Sequence, residues 1–152
     1  MRIYIAAPYA IRNELRVFRD ALNADGHIVT SSWLDAQHEI HAGTLETAPA
    51  LDDEYAERHS REDVDEVAAS DLVVLVTWPT AQSLAMGRDL GGNSGGRHVE
   101  TGVALALDIP VLVWGEPENI FHRGICAVAA DWDSVIDAIN VLRDARFGIT
   151  TP

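Results

Sequence analysis

Apolar residues recur along this chain in two alternating rhythms. Short unbroken runs (Ile3-Tyr4-Ile5-Ala6-Ala7, Leu72-Val73-Val74-Leu75-Val76, Ile109 to Trp114) alternate with longer stretches where apolar positions return every three or four residues. An unbroken run is the signature of a strand covered on both faces, and the wider spacing is the stripe of a helix. The pattern predicts a strand over Arg2–Ala7, ended by Pro8. A helix follows over Ile11–Ala24, with Leu15, Phe18, Ala21 and Leu22 on one stripe, and Asp25-Gly26 stops it. A second strand, His27–Ser31, leads to Trp33-Leu34, after which Asp35 to about Ala50 shows no clean period. Asp52–Ala69 reads as a helix with Val64, Val67 and Ala68 inward, and Asp71–Thr77 as the clearest strand. Trp78–Gly96 is a glycine-rich loop, Arg97–Leu107 a helix, and Ile109–Trp114 a buried strand. Gly115–Arg123 reads as a loop and Ile125–Ala129 as a short fifth strand. Trp132–Arg146 reads as a closing helix with Val135, Ile136, Ile139 and Leu142 on its stripe.

Strand and helix thus alternate along the whole length, without internal repeats or linkers. Parallel neighbours need right-handed crossovers, so the pattern predicts a flavodoxin-like (Rossmann-like) doubly wound α/β fold. Its five-stranded parallel sheet would carry helices on both faces, as a single domain over residues 1–152. Such sheets bind ligands beyond the carboxyl ends of the strands, near the point where strand order reverses. Pro8-Tyr9 and the two long loops, Asp35–Ala50 and Trp78–Gly96, all begin on that edge, and long ordered loops are often functional.

Composition narrows the partners. The formal charge is -13 over 152 residues, which disfavours nucleic acids and anionic membranes, since polyanions need a basic surface. One small nucleotide is not excluded. A single cysteine, Cys126, forms no disulfide framework and no cysteine-based zinc site, which fits a reducing, cytoplasmic setting. The opening stretch is broken by Pro8 too soon for a secretion leader, and Val103–Trp114 is interrupted by Asp108 and Pro110, so no membrane span is expected.

The densest candidate chemistry lies at Ser94-Gly95-Gly96-Arg97-His98-Val99-Glu100-Thr101-Gly102. Small residues expose backbone N–H groups at a helix start, where an anion such as a phosphate is favoured. Glu100 then reads as sitting in the first turn, either as a nucleophile or as an acid favoured by the helix dipole. Gly91–Gly96 lacks the Gly-Lys-Ser/Thr ending of a Walker loop and serves as a flexible loop, a lid or a phosphate cradle. His38 and His41 have no third ligand in sight and read as surface histidines, so neither metal nor cofactor is expected. Trp114, Trp132 and Cys126 read as packing residues.

Three stretches together carry a resemblance. Ile3-Tyr4-Ile5-Ala6-Ala7-Pro8 opens the chain. Arg61-Glu62-Asp63 and Ala69-Ser70-Asp71 lead into the third strand, and Gly96–Gly102 contains Glu100 in a Glu-x-Gly setting. In order and spacing, over Ile3 to about Val113, the chain resembles the nucleoside 2-deoxyribosyltransferase superfamily. Its relatives include the 2'-deoxynucleoside 5'-phosphate N-hydrolases and the cytidylate hydrolases of antibiotic pathways. The resemblance implies that Glu100 attacks the anomeric carbon, that Asp63 assists departure of the base, and that Tyr4 holds the nucleophile. Trp33 and Trp78 would flank the base, and Ala7, Pro8 and Tyr9 would line the pocket.

Six residues before the nucleophile, transferases acting on free nucleosides tend to carry an acid, and the monophosphate hydrolases a serine. Here that position is Ser94, followed by Gly95, Gly96, Arg97 and His98, a set that favours a phosphate over a free 5'-hydroxyl. The resemblance also implies a homodimer or larger homo-oligomer, in which a neighbouring subunit can complete the pocket.

The chemistry is coherent on its own terms. Breaking an N-glycosidic bond builds positive charge on the sugar. One carboxylate can stabilise and trap that charge while a second, protonated carboxyl neutralises the leaving base. Glu100 and Asp63 supply that pair, with Asp52 and Asp53 as alternatives for the second role, although Asp63 also fits one member of a solvated acidic face. Hydrolysis of a nucleoside 5'-monophosphate leads. Base transfer between deoxynucleosides is the alternative, and a non-catalytic nucleotide sensor a third reading.

Overall fold

The computed structural model describes residues 1–35, 53–77 and 95–148. Its strands are β1 (Arg2–Ala6), β2 (Ile28–Val29), β3 (Leu72–Val76), β4 (Val111–Trp114) and β5 (Ala127–Ala129). Its helices are α1 (Arg12–Ala24), α2 (Asp53–Ala68), α3 (Gly95–Ala106), α4 (Ile120–Ile125) and α5 (Trp132–Phe147). The five strands form one sheet in the order β2-β1-β3-β4-β5, and every pairing is parallel. The chain adds β2 on one side of β1 and β3 on the other, so the order reverses at β1. That is where ligands collect in open α/β sheets.

Strand alternation sorts the core into two layers. Ile3, Ile5, Leu72, Val74, Val76, Leu112 and Trp114 point to one face and pack with Leu15 and Leu22 of α1 and Val135 and Ile139 of α5. Tyr4, Ala6, Val73, Leu75, Val111 and Val113 point to the other and pack with Val67 of α2 and Ala104 of α3. Both faces are therefore covered, which is why β3 and β4 read as continuous apolar runs. No helix among the described residues is long and apolar enough to cross a membrane.

Four elements differ from expectation. The second strand is only Ile28–Val29, because Thr30 and Ser31 leave the sheet while still bonding to β1. Helix α2 turns Val67 inward but leaves Val64 and Ala68 exposed. Its inner face is shared with Asp63, one turn before Val67, and with Glu66. Helix α3 starts two residues early, at Gly95. The segment expected as a loop contains α4, whose N-cap Asn119 accepts from the Phe121 and His122 N–H groups. The expectations on residues 36–52 and 78–94, among them His38, His41, Asp52, Trp78 and Ser94, lie outside the described residues.

Candidate active site

β1 outruns its short partner. Beyond Ile3 no β2 residue remains to pair with it, so the N–H and C=O of Ile5 on that side need other partners. Ser31 supplies them: its Oγ accepts from the Ile5 N–H at 2.5 Å and donates to the Ile5 carbonyl at 3.3 Å. The Trp33 indole N–H donates to the same carbonyl at 2.9 Å. Trp33 is thereby held beside the end of β1, half-buried, with the Tyr9 ring 6.2 Å away and Ala7 and Pro8 between strand and turn. The Arg12 guanidinium lies over the Tyr9 ring at 4.2 Å.

On the α2 and α3 face of the same strand, Tyr4 is fully buried, and its hydroxyl donates to Glu100 Oε1 at 2.7 Å. Glu100 belongs to the second turn of α3, not the first, because the helix begins at Gly95. Its carboxyl is therefore held by Tyr4 and not by orphan N–H groups of a helix start. Asp63 reaches the same place from α2. All three groups feel one another, as their protonation shows.

Burial pushes the Glu100 carboxyl up to about 7, with the charges of Asp63 and Glu66 adding to the rise and the Tyr4 hydrogen bond opposing it. Asp63 is pushed up to about 6, by burial first and then by Glu66, again opposed by a hydrogen bond from Tyr4. The Tyr4 phenol is raised by burial and by the two carboxylates, so it remains a donor throughout the ordinary pH range. Like charges in a desolvated site cannot all ionise together, so the carboxyls keep a proton between them near neutrality. A site holding one ionised and one protonated carboxyl can do nucleophilic and general-acid work at once.

Glu66 was not singled out in the sequence. Its Oε2 accepts from the Ser32 N–H at 3.0 Å, tying α2 to the turn that carries Trp33. Burial, only partly offset by Ser32, raises it as well. The available signal was spacing, since Asp63, Glu66 and Val67 share one helical face. Among the described residues no group of three or more such side chains is arranged to hold a metal ion.

The start of α3 is less simple than expected. Gly95 and Gly96 are exposed at the carboxyl edge, with backbone open to a ligand. Arg97, expected to meet a phosphate, turns under the helix instead. It is 8% exposed, donates from Nη1 to the Val76 carbonyl at 3.3 Å, and pairs through Nη2 with Glu118 at 2.6 Å. Only its Nε lacks a hydrogen-bond partner. His98 is about 200° round the helix from Glu100 and so cannot share its face. It stacks on His122 with centroids 5.6 Å apart and lines an apolar groove of about 540 Å³ between α3 and α4, with Leu105, Phe121 and Ile125. The structure thus brings Tyr4, Asp63 and Glu100 together, keeps Trp33 and Tyr9 at the neighbouring strand end, and sends Arg97 and His98 elsewhere.

Among the solved structures that share this fold are the following two. One is a 2-deoxyribosyltransferase from the psychrotolerant bacterium Bacillus psychrosaccharolyticus, with a TM-score of 0.60 and 19% identity, covering 89% of this chain and 90% of that one. The other is a CMP N-glycosidase from Clostridium botulinum, with a TM-score of 0.53 and 12% identity, covering 93% of this chain and 99% of that one. No protein-family model matches the sequence, and no curated protein does. At such identities the likeness establishes the shared fold.

Proposed function

We propose that the chain is a member of the nucleoside 2-deoxyribosyltransferase superfamily that cleaves the base–sugar bond of a nucleoside 5'-monophosphate through a covalent glycosyl-glutamate. The observation that carries this reading is the 2.7 Å hydrogen bond from buried Tyr4 to Glu100, beside Asp63, at the strand where the sheet order reverses. In this reading a Glu100 carboxylate oxygen bonds to the anomeric carbon as the bond to the base nitrogen breaks. Asp63 gives its proton to the departing base. Water then attacks the same carbon, loses a proton to Asp63, and releases Glu100.

Tyr4 holds the attacking oxygen in line and, as a neutral donor, tempers its charge. Trp33 and Tyr9 give the base an apolar, aromatic wall beside β1. Gly95 and Gly96, exposed at the start of α3, would offer their backbone to a phosphate there. The homo-oligomer and cytoplasmic setting expected from the sequence belong to the same proposal.

A second reading, base transfer between free deoxynucleosides, has its own support. Arg97 is already matched by Glu118, which leaves less positive charge for a phosphate. A fold neighbour, at 19% identity, is also a transferase.

Incubating the protein with nucleosides and their 5'-monophosphates, with and without a second free base, separates the readings by chromatography. The proposal expects base released from monophosphates and a loss of at least a thousandfold in Glu100→Ala. Exchange that requires a second base would make it a transferase. Binding without turnover would make it a sensor.

A further inference from the structure

We infer that Arg97 and Glu118 form an internal strut that positions Glu100, so that Arg97 is a positioning residue and not a phosphate ligand. This deepens the proposed N-glycosidase site and rests on that reading for its kinetic consequences, though not for its structural ones.

Helix α3 begins with Gly95-Gly96, residues of weak helix propensity. Arg97 ties that start to the sheet. Its side chain passes beneath the first turn to the carbonyl of Val76, the last residue of β3, and to Glu118 beyond the end of β4. Its own carbonyl accepts from Thr101 Oγ1 at 2.7 Å, which locks the next turn.

Glu118 is fixed in its turn. Its N–H donates to Nδ1 of His122, which is 1% exposed, and the next residue caps α4. Side-chain exposures of 7% for Arg97 and 22% for Glu118 mark a largely desolvated pair. Such pairs contribute little net stability but fix geometry, because breaking one strands a charge. Glu100 lies one turn along from Arg97, and its partner Tyr4 is immobile in the core. The 2.7 Å contact therefore depends on where the helix start is pinned.

A phosphate arriving at this edge would meet an arginine already neutralised, with a carboxylate beside it.

Glu118→Gln and Arg97→Met are the variants, with circular dichroism to verify folding. Glu118→Gln, which keeps shape and one acceptor, serves if Arg97→Met does not fold. Two readouts are needed.

In turnover, the strut predicts that kcat falls about tenfold or more in either variant while KM for the monophosphate changes less than threefold. The double variant should lose no more than the worse single one. A rise in KM confined to the monophosphate in Arg97→Met, or tighter monophosphate binding in Glu118→Gln, overturns the strut in favour of a phosphate ligand.

The second readout needs no substrate. Carboxyl NMR of the isotopically labelled protein should show Glu100 titrating at higher pH in both variants, as its bond to Tyr4 loosens. An unchanged titration overturns the proposal even if the wild type turns over nothing. Lack of wild-type turnover, by contrast, counts only against the N-glycosidase reading.

Discussion

At the scale of single residues, the site turns on one phenol placed between two acids. Tyr4 donates to Glu100 and lowers the proton affinity of both Glu100 and Asp63, against the desolvation that raises them. Burial and mutual repulsion raise both carboxyls, so near neutrality the pair shares a proton. Positive charge developing on the sugar beside Glu100 favours the arrangement with Glu100 ionised and Asp63 protonated, because it stabilises the carboxylate where it is needed.

The rate should therefore follow a narrow bell between about pH 6 and 7 that belongs to the pair. Tyr4→Phe removes the hydrogen bonds that pull both values down. Both limbs should move to higher pH, and kcat should fall about 10- to 100-fold, equivalent to about 1.5–3 kcal/mol. A pH–rate profile checks it, and unmoved limbs would show that Tyr4 only fills space.

At the scale of elements, the sequence was legible wherever burial imposes a period. The runs of β1, β3 and β4 and the stripes of α1 and α5 follow from which face must be covered, and they agree with the structure except at Ala21, which α1 leaves exposed. Elements set by local chemistry were harder to see. Two glycines hid the first turn of α3, because their weak propensity is overridden by Arg97 anchored below, and this moved Glu100 from the first turn to the second. The inner face of α2 departs from an apolar stripe because the site draws Asp63 and Glu66 inward, half-buried, and leaves apolar Val64 exposed. Tyr4, Asp63 and Glu100 were reached through a family resemblance, and no periodicity marks them. Glu66 bears no motif at all.

Helix α4 escaped notice because six residues are too few for a stripe. Its stability rests on Asn119, which accepts from Phe121 and His122 at 2.9 and 3.0 Å. Asn119→Ala should cost about 1 kcal/mol in thermal or denaturant unfolding, and Asn119→Asp should recover most of it. Equal stability of all three proteins would mean that α4 is held by packing alone.

At the scale of the whole molecule, the site's chemistry and the fold's stability pull in opposite directions. Glu100 has an ordinary value of 4.5 and a folded value of about 7, and Asp63 moves from 3.8 to about 6. Between those limits the folded chain binds more protons than the unfolded one. The stability these groups contribute is therefore full below their ordinary values and is lost as pH rises through about 6 to 7. His27 and His122 are depressed by burial, so their contribution has the opposite sign: present above 6.5, and lost as pH falls through their lower folded values. A net charge of -13 adds general repulsion on the alkaline side. Stability should accordingly peak on the slightly acid side of neutrality.

The contribution of the site can be isolated with Glu100→Gln, which keeps an acceptor for Tyr4 but carries no charge to desolvate. At pH 8 the variant should be more stable than the wild type by on the order of 2 kcal/mol, and near pH 4 the two should converge, while base release is abolished. Melting curves across that range decide the matter. Parallel profiles would mean that Glu100 ionises in the fold as easily as in water, and a nucleophile poised by burial would then have no basis. A gap that opens between about pH 4.5 and 7 would instead measure how much stability the fold gives up to keep that carboxylate out of water.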